Sequence, residues 1–190
     1  YSTQGSFYYA RTLIDEMIRE YPNYEPLQLE LLRILFSQQQ WDEAITLIEK
    51  LESQTKINAE ISLLRAYLEF NRGDLETAQK QFLQTLELDP RSVDALLGLA
   101  SLSLRSGKLE EALDTLNQAV EINTRLGRVH FLRATVLFRM GDYLQGDLAL
   151  QRAIENDPQE PTFQLLSLRR RLMKGEIDSV EQSLRRLQEK

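Results

Sequence analysis

The chain has 190 residues, of which 42% are hydrophobic and 27% are charged, and its formal net charge is -6 at pH 7. An acidic chain of this kind argues against a nucleic-acid partner, because phosphate backbones are bound by basic surfaces. Cysteine is absent, which excludes disulfides, zinc–cysteine sites and thiol catalysis. No apolar run approaches the roughly 20 residues that cross a bilayer, so we expect no direct membrane insertion.

A single period of about 34 residues, a length typical of paired-helix repeats, runs along the whole sequence. Glycine recurs in one column of this period, where Gln39 is the one exception, and mostly small residues recur five positions later. The two columns are Gly5, Gly73, Gly107, Gly141 and Gly175, and Ala10, Ala44, Ala78, Ala112, Gly146 and Val180. This period predicts an all-α fold, a solenoid of antiparallel helix pairs built from 34-residue repeats.

The period places the whole chain in a single array. Residues 1–24 match the second helix of a partial repeat, and their exposed aromatic edge would carry Tyr1, Phe7, Tyr8 and Tyr9. We therefore expect either a fragment of a longer protein or an edge that pairs with another subunit. Four full repeats and a degenerate capping repeat follow, at residues 25–58, 59–92, 93–126, 127–160 and 161–190.

The repeats differ in detail. In repeat 25–58, Gln39 stands in the glycine column and Leu32 faces Ala44, so we expect its two helices to sit slightly further apart. In repeat 59–92, Ala66 is expected to face Ala78, because small side chains let the two backbones approach closely. Aspartate–proline pairs close two of the repeats, since proline cannot continue a helix.

The last repeat carries Arg169, Arg170 and Arg171 on its first helix. Arg170 occupies a column that is apolar in the earlier repeats, so we expect this side chain to face water at the end of the stack. Two other interpretations stay open, namely an ordinary solvated run of charges and a dedicated anion site.

These turns and small-residue columns resemble the tetratricopeptide repeat (TPR) family over essentially the whole chain. The resemblance implies a right-handed superhelix whose first helices line a concave groove. It also implies a non-catalytic interaction scaffold or adaptor whose partner is a protein or a peptide. One ligand mode of the family is a clamp for the C-terminal carboxylate of chaperone tails, but the matching positions here, among them Leu29, Leu64 and Gly98, do not supply it.

Helical periodicity on the first helices selects the expected groove residues. They form an apolar strip edged by arginines, which suits an amphipathic helix or an extended peptide with apolar anchors and acidic residues. The alternative is that the aromatic residues only pack between neighbouring helices. The expected residues are Leu29, Arg33, Phe36, Leu63, Tyr67, Phe70, Asn71, Leu97, Leu104, Arg105, Phe131, Thr135, Phe138 and Arg139, and the same columns continue to Leu165, Arg169, Leu172 and Met173.

The sequence offers no catalytic constellation. His130 is the one histidine and has no spaced partner for a metal, and the glycines are too far apart for a phosphate loop. We therefore predict no enzyme, no metal and no cofactor. The rival hypothesis is a structural spacer or an oligomerisation domain of a larger assembly, membrane- or secretion-associated in one version, which forms homo-oligomers through its terminal edges. No targeting signal is visible, and we favour the cytoplasm over the periplasm.

Overall fold

The computed structural model describes residues 3–54 and 58–177, with side chains from Tyr9 onward except that of Ala10. Over those ranges the chain forms ten α-helices and no β-strand. The helices are α1 (Thr3–Glu20), α2 (Glu25–Ser37), α3 (Trp41–Gln54), α4 (Ala59–Arg72), α5 (Leu75–Leu88), α6 (Val93–Arg105), α7 (Leu109–Ile122), α8 (Gly127–Met140), α9 (Tyr143–Asn156) and α10 (Pro161–Met173). The helices that begin at positions 25, 59, 93, 127 and 161 follow one another at a constant interval, which is the period of the sequence. The predicted all-α fold of helical repeats is confirmed.

Left-handed residues follow the C-terminal ends of α2, α4, α6, α8 and α10. Gly73, Gly107, Gly141 and Gly175 have φ between 76° and 88°, a conformation that glycine adopts without a Cβ clash. At the first of these turns the Gly73 amide donates to the Phe70 carbonyl at 3.2 Å. Such bonds satisfy the last carbonyls of a helix. Four members of the glycine column therefore cap helix C-termini, whereas Gly5 lies inside α1 and has no such role.

Gln39 takes the same conformation without being glycine. Its φ is 57°, and it is the one positive-φ residue other than glycine in the part of the chain that the structure describes. The Gln39 amide donates to the Phe36 carbonyl at 3.1 Å, and the next amide, of Gln40, donates to the Leu35 carbonyl at 2.9 Å. The turn thus keeps the geometry of the others, at the cost of a left-handed residue with a side chain.

The chain divides into two compact units, Tyr1–Leu102 and Ser103–Lys190. In the first unit, one buried cluster lies among α2, α3 and α4, with Leu32 and Ala44 as members. A second cluster there includes Ala66, Ala78 and Phe82, in agreement with the expected small-residue contact. In the second unit the buried cluster consists of Ala134, Leu137, Ala149 and Leu150.

Two helical glycines make room for aromatic rings. A Cβ placed on Gly98 would lie 2.2 Å from Cζ of the fully buried Phe82. A Cβ placed on Gly146 would lie 2.4 Å from the Phe138 ring. Both distances are far below van der Waals contact, so each ring occupies the space that a side chain would need. In the second unit, the ring of Phe138 on α8 therefore packs directly against α9 at Gly146.

The predicted aromatic edge and the end of the last repeat fall mainly outside the described part. Tyr9 is exposed, whereas the side chains of Tyr1, Phe7 and Tyr8 and all of Val180 lie outside it. The division into repeats, including the degenerate repeat at the end, therefore stays a prediction.

Candidate functional site

The expected groove residues at the start of the first unit are largely engaged by neighbouring helices. Leu29 and Phe36 are half-buried against the cluster among α2, α3 and α4, and the Phe36 ring meets the Trp41 ring edge-on at 5.5 Å. Arg33 is exposed and bonds Glu30 at 2.8 Å and Glu60 at 2.5 Å. These bonds raise the pKa of Arg33 above its ordinary value. Arg33 thus ties α2 to α4.

The expected residues of α4 also contribute to packing. Leu63, Tyr67 and Phe70 are half-buried against the second cluster of the first unit. The Tyr67 hydroxyl donates to the Asp94 carbonyl at 3.0 Å, while the ring packs edge-on against Phe82. The exposed Asn71 donates to the backbone of its own helix. For this stretch the packing interpretation of the aromatic column describes what the residues do.

On α6 the expected residues have three different environments. Leu97 is buried, Leu104 is half-buried and Arg105 is exposed. Leu97 has therefore little surface left to offer a ligand, although it occupies the same column as Leu63 and Phe131. Residues of one column thus point in the same direction but differ in how much of each side chain is covered.

In the second unit, three of the expected residues come together. Thr135, Phe138 and Arg139 line one cavity of about 280 Å³ on α8. Phe131 lies outside it and stacks on Phe163 of α10, with ring centroids 4.8 Å apart. The remaining lining comes from α9 and α10, namely Tyr143, Leu166, Arg169, Arg170 and Met173.

The cavity has an apolar floor and a cationic rim. Phe138 forms part of the floor and is fixed by its contact with Gly146. Met173 lies at the edge and is 69% exposed. Arg139 donates from Nη1 to the Leu104 carbonyl at 2.9 Å, and both Arg139 and Arg169 are exposed. Within the described ranges neither guanidinium forms an ion pair with a carboxylate.

Arg170 does not face water as its column predicted. Its guanidinium carbon lies 4.4 Å from the Tyr143 ring centroid and 5.2 Å from that of Phe138. Nε donates to Asp147 at 3.0 Å, and Lys174 approaches the second oxygen of the same carboxylate at 2.7 Å. A guanidinium is drawn to aromatic faces and to carboxylates together. The expectation of a solvated cap is therefore wrong at this residue.

Two further cavity residues, Arg169 and Met173, lie in the expected inner-face columns of Thr135 and Arg139. These inner-face columns do not include the other three, Tyr143, Leu166 and Arg170. Tyr143 is the first residue of a second helix, and the prediction considered only first helices as sources of groove residues.

His130 has a structural environment. It is buried, and its Nε2 lies 2.8 Å from the Thr124 carbonyl oxygen. Because a carbonyl can only accept, Nε2 carries the proton in this contact. Among the described residues, no group of three metal-ligating side chains gathers, and no helix is long and apolar enough to cross a membrane.

Comparison with known proteins adds the family context. Residues 29–78 and 63–125, together just over half of the chain, match the sequence model described as the tetratricopeptide repeat. Tetratricopeptide repeat protein 21A of Mus musculus is 32% identical over 93 residues, which are 47% of this chain. The chain spans only 7% of the length of that protein.

Solved structures agree at the level of the fold. The TPR protein TTC0263 of Thermus thermophilus matches with a TM-score of 0.76 and 17% identity, over 89% of this chain and 92% of that one. YrrB, described as a TPR protein with an unusual peptide-binding site, matches with a TM-score of 0.61 and 13% identity, over 87% of this chain and 85% of that one. At such identities the likeness concerns the fold alone.

Proposed function

Because this chain belongs to the tetratricopeptide repeat family, whose fold serves protein–protein interaction, we propose that it holds a protein segment in the cavity between α8 and α10. The segment would be an extended peptide or a helix that inserts one apolar side chain and carries an acidic residue beside it. Family members are generally non-catalytic interaction modules, and their partners are proteins or peptides. The cavity is the observation that carries the proposal.

The chemistry of the cavity supports this class of ligand. Phe138, Tyr143 and Leu166 provide an apolar surface, and removing such surface from water is favourable by roughly 25 cal/mol per Å². Arg139 and Arg169 stand at the rim without a carboxylate partner among the described residues. A ligand carboxylate would form charge-assisted hydrogen bonds with them. YrrB offers a precedent for peptide binding on this fold.

The test is a fluorescence-anisotropy screen of a peptide array on the wild-type chain and on Met173→Asp. Met173 lines the cavity but is 69% exposed, so aspartate there should leave the helices intact. It should weaken peptide binding at least about 10-fold, because a carboxylate at the rim repels an acidic ligand. Phe138→Asp is a poorer test, since that ring fills the space beside Gly146.

Leu172→Asp is the matched control. This neighbour on α10 is 51% exposed and does not line the cavity. It should bind the same peptides with wild-type affinity. Equal binding by the wild type and Met173→Asp, or equal loss in both variants, would refute the proposed site.

A second candidate function is that of a spacer or oligomerisation domain, and α1 favours it. Tyr9, Leu13, Met17 and Tyr21 follow one another at intervals of four residues, and all four are exposed. This spacing places the first three along one side of α1, and Tyr21 follows directly after its last residue. An exposed apolar stripe of this length is typical of a surface that meets another protein.

Sedimentation equilibrium distinguishes this second function from the first. If α1 mediates self-association, the wild-type chain should form a concentration-dependent oligomer that Leu13→Lys converts into a monomer. A wild-type monomer at all accessible concentrations would remove self-association from consideration.

A further inference from the structure

The outward side of α9 differs from that of the other second helices. Leu144 and Leu148 lie one turn apart and are 71% and 47% exposed. The residues that correspond to Leu144 and Leu148 in the earlier second helices are all polar. They are Glu110 and Asp114 in α7, Glu76 and Lys80 in α5, and Asp42 and Thr46 in α3. The apolar pair is thus a property of α9 and not of the repeat.

Two arginines stand beyond this pair. Arg152 lies one turn after Leu148 and is exposed, and Arg133 of α8 is half-buried near it. Burial lowers the pKa of Arg133, and the positive charge of Arg152 lowers it further. Nε of Arg133 is buried and finds no hydrogen-bond acceptor in the part of the chain that the structure describes. Within the described ranges, neither guanidinium meets a carboxylate.

Arg65, which stands two periods before Arg133, shows what Arg133 lacks. Nε of Arg65 lies 2.9 Å from a carboxylate oxygen of Glu69, and Nη1 lies 3.6 Å from one of Glu52. The positions that correspond to these two glutamates beside Arg133 hold Leu137 and Val120. Burying a cation without its counter-ion is costly. In the second unit, Arg133 therefore lacks the two carboxylate partners that Arg65 has in the first unit.

We propose that the outward side of α9 docks a helix of a partner protein that carries two apolar side chains one turn apart and an aspartate or glutamate one turn further on. The apolar pair packs on Leu144 and Leu148, and the carboxylate bonds the exposed Arg152 and so offsets its repulsion of Arg133. Leu144 and Arg152 are about 12 Å apart along the helix axis, because each step from one residue to the next adds about 1.5 Å. Two residues at i and i+8 of a partner helix have the same separation. None of these residues lines the cavity between α8 and α10, so this surface is distinct from the proposed peptide site.

The test uses a phage-displayed library of random peptides of about 16 residues, long enough for four helical turns. The library is selected on the wild-type chain and depleted on Leu148→Glu. The remaining peptides should share apolar residues at i and i+4 and an acidic residue at i+8. Their affinity should fall at least about 10-fold on Arg152→Ala, which removes a charge-assisted pair.

A charge reversal makes the test specific. Arg152→Glu is an exposed substitution, and far-UV circular dichroism confirms that the helices persist. Selection on this variant should return lysine or arginine at i+8. The peptides selected on the wild-type chain should bind Met173→Asp with unchanged affinity, because that substitution affects only the cavity between α8 and α10.

Three results would overturn the inference. The first is a library that contains no peptide able to distinguish the wild type from Leu148→Glu. The second is an enriched motif without the acidic residue, or one abolished by Met173→Asp. The third is self-association that Leu148→Glu removes, which would assign the surface to a second copy of this chain.

Discussion

Gln39 is the clearest case in which one residue opposes the conformation that its position requires. Its φ of 57° belongs to the left-handed region, which costs a residue with a side chain roughly 1 kcal/mol or more. Glycine avoids this cost but is more flexible in the unfolded chain. Gln39→Gly should therefore stabilise the protein by about 0.5–1 kcal/mol and raise the melting temperature by about 2 °C.

The adjacent residue provides the control for that measurement. Gln38 is also exposed, but its φ of -93° is right-handed. Gln38→Gly gains nothing in the folded state and should lower the melting temperature in the same calorimetric scan. An unchanged or lower value for Gln39→Gly would contradict the argument from backbone strain.

The Phe82 ring fits only because residue 98 is a glycine and has no side chain. A methyl group at Gly98 would lie 2.2 Å from the buried Phe82 ring, so Gly98→Ala should cost about 1–3 kcal/mol through overpacking. In a Phe82→Leu background the same substitution should cost less, because the ring is gone. Urea denaturation of both single variants and the double variant measures this coupling, and additive losses would disprove it.

At the scale of the element, Asp147 of α9 forms ion pairs with Arg170 of α10 and with Lys174 just after it. Its carboxylate receives Arg170 at 3.0 Å and Lys174 at 2.7 Å, and about a quarter of its side chain is exposed. Asp147→Asn should lower the unfolding free energy by roughly 1 kcal/mol at low salt. The deficit should shrink in high salt, because screening weakens the wild-type pairs.

Asp114→Asn is the corresponding control. This residue of α7 is exposed and forms no side-chain bond with the described residues. Its stability should match that of the wild type at both salt concentrations. A salt-independent loss in Asp147→Asn would mean that packing, not charge, is what the residue supplies.

The repeat period was sufficient to predict where each first helix begins, because glycine caps and apolar spacing are local signals. It could not predict how deeply a column is covered. Leu97 is buried while Leu63, in the same column, is half-buried. Nor could it place Arg170, whose position depends on two rings and Asp147 converging from other helices. The helical columns predict the direction in which a side chain points, but they do not predict which side chains from different helices come within contact distance.

At the scale of the whole molecule, the repeats should be interchangeable parts. Asn58 caps α4 by accepting from the Ile61 amide at 2.9 Å, and Ser92 accepts from the Ala95 amide at 3.4 Å in the same position before α6. Deleting residues 59–92 would leave Asn58 to cap α6. Because each repeat presents a similar interface, we expect circular dichroism to show unchanged helicity per residue, with a lower melting temperature from the lost contacts.

Deleting residues 59–75 is the contrasting experiment. It removes half a period and leaves α5 where a first helix should stand, so its apolar face has no matching neighbour. Helicity per residue should fall sharply. If both deletions behave alike, the period has no structural meaning.

The contact between Asp147 and Arg170 would also bear on the ligands of the proposed site. Arg170 already has a carboxylate partner within the chain, which it shares with Lys174, so an incoming acidic residue would compete there with a counter-ion that belongs to the protein. On the proposed function, a ligand carboxylate would therefore be recognised by Arg139 and Arg169 at the rim rather than by Arg170, while the aromatic floor would select the apolar side chain beside it.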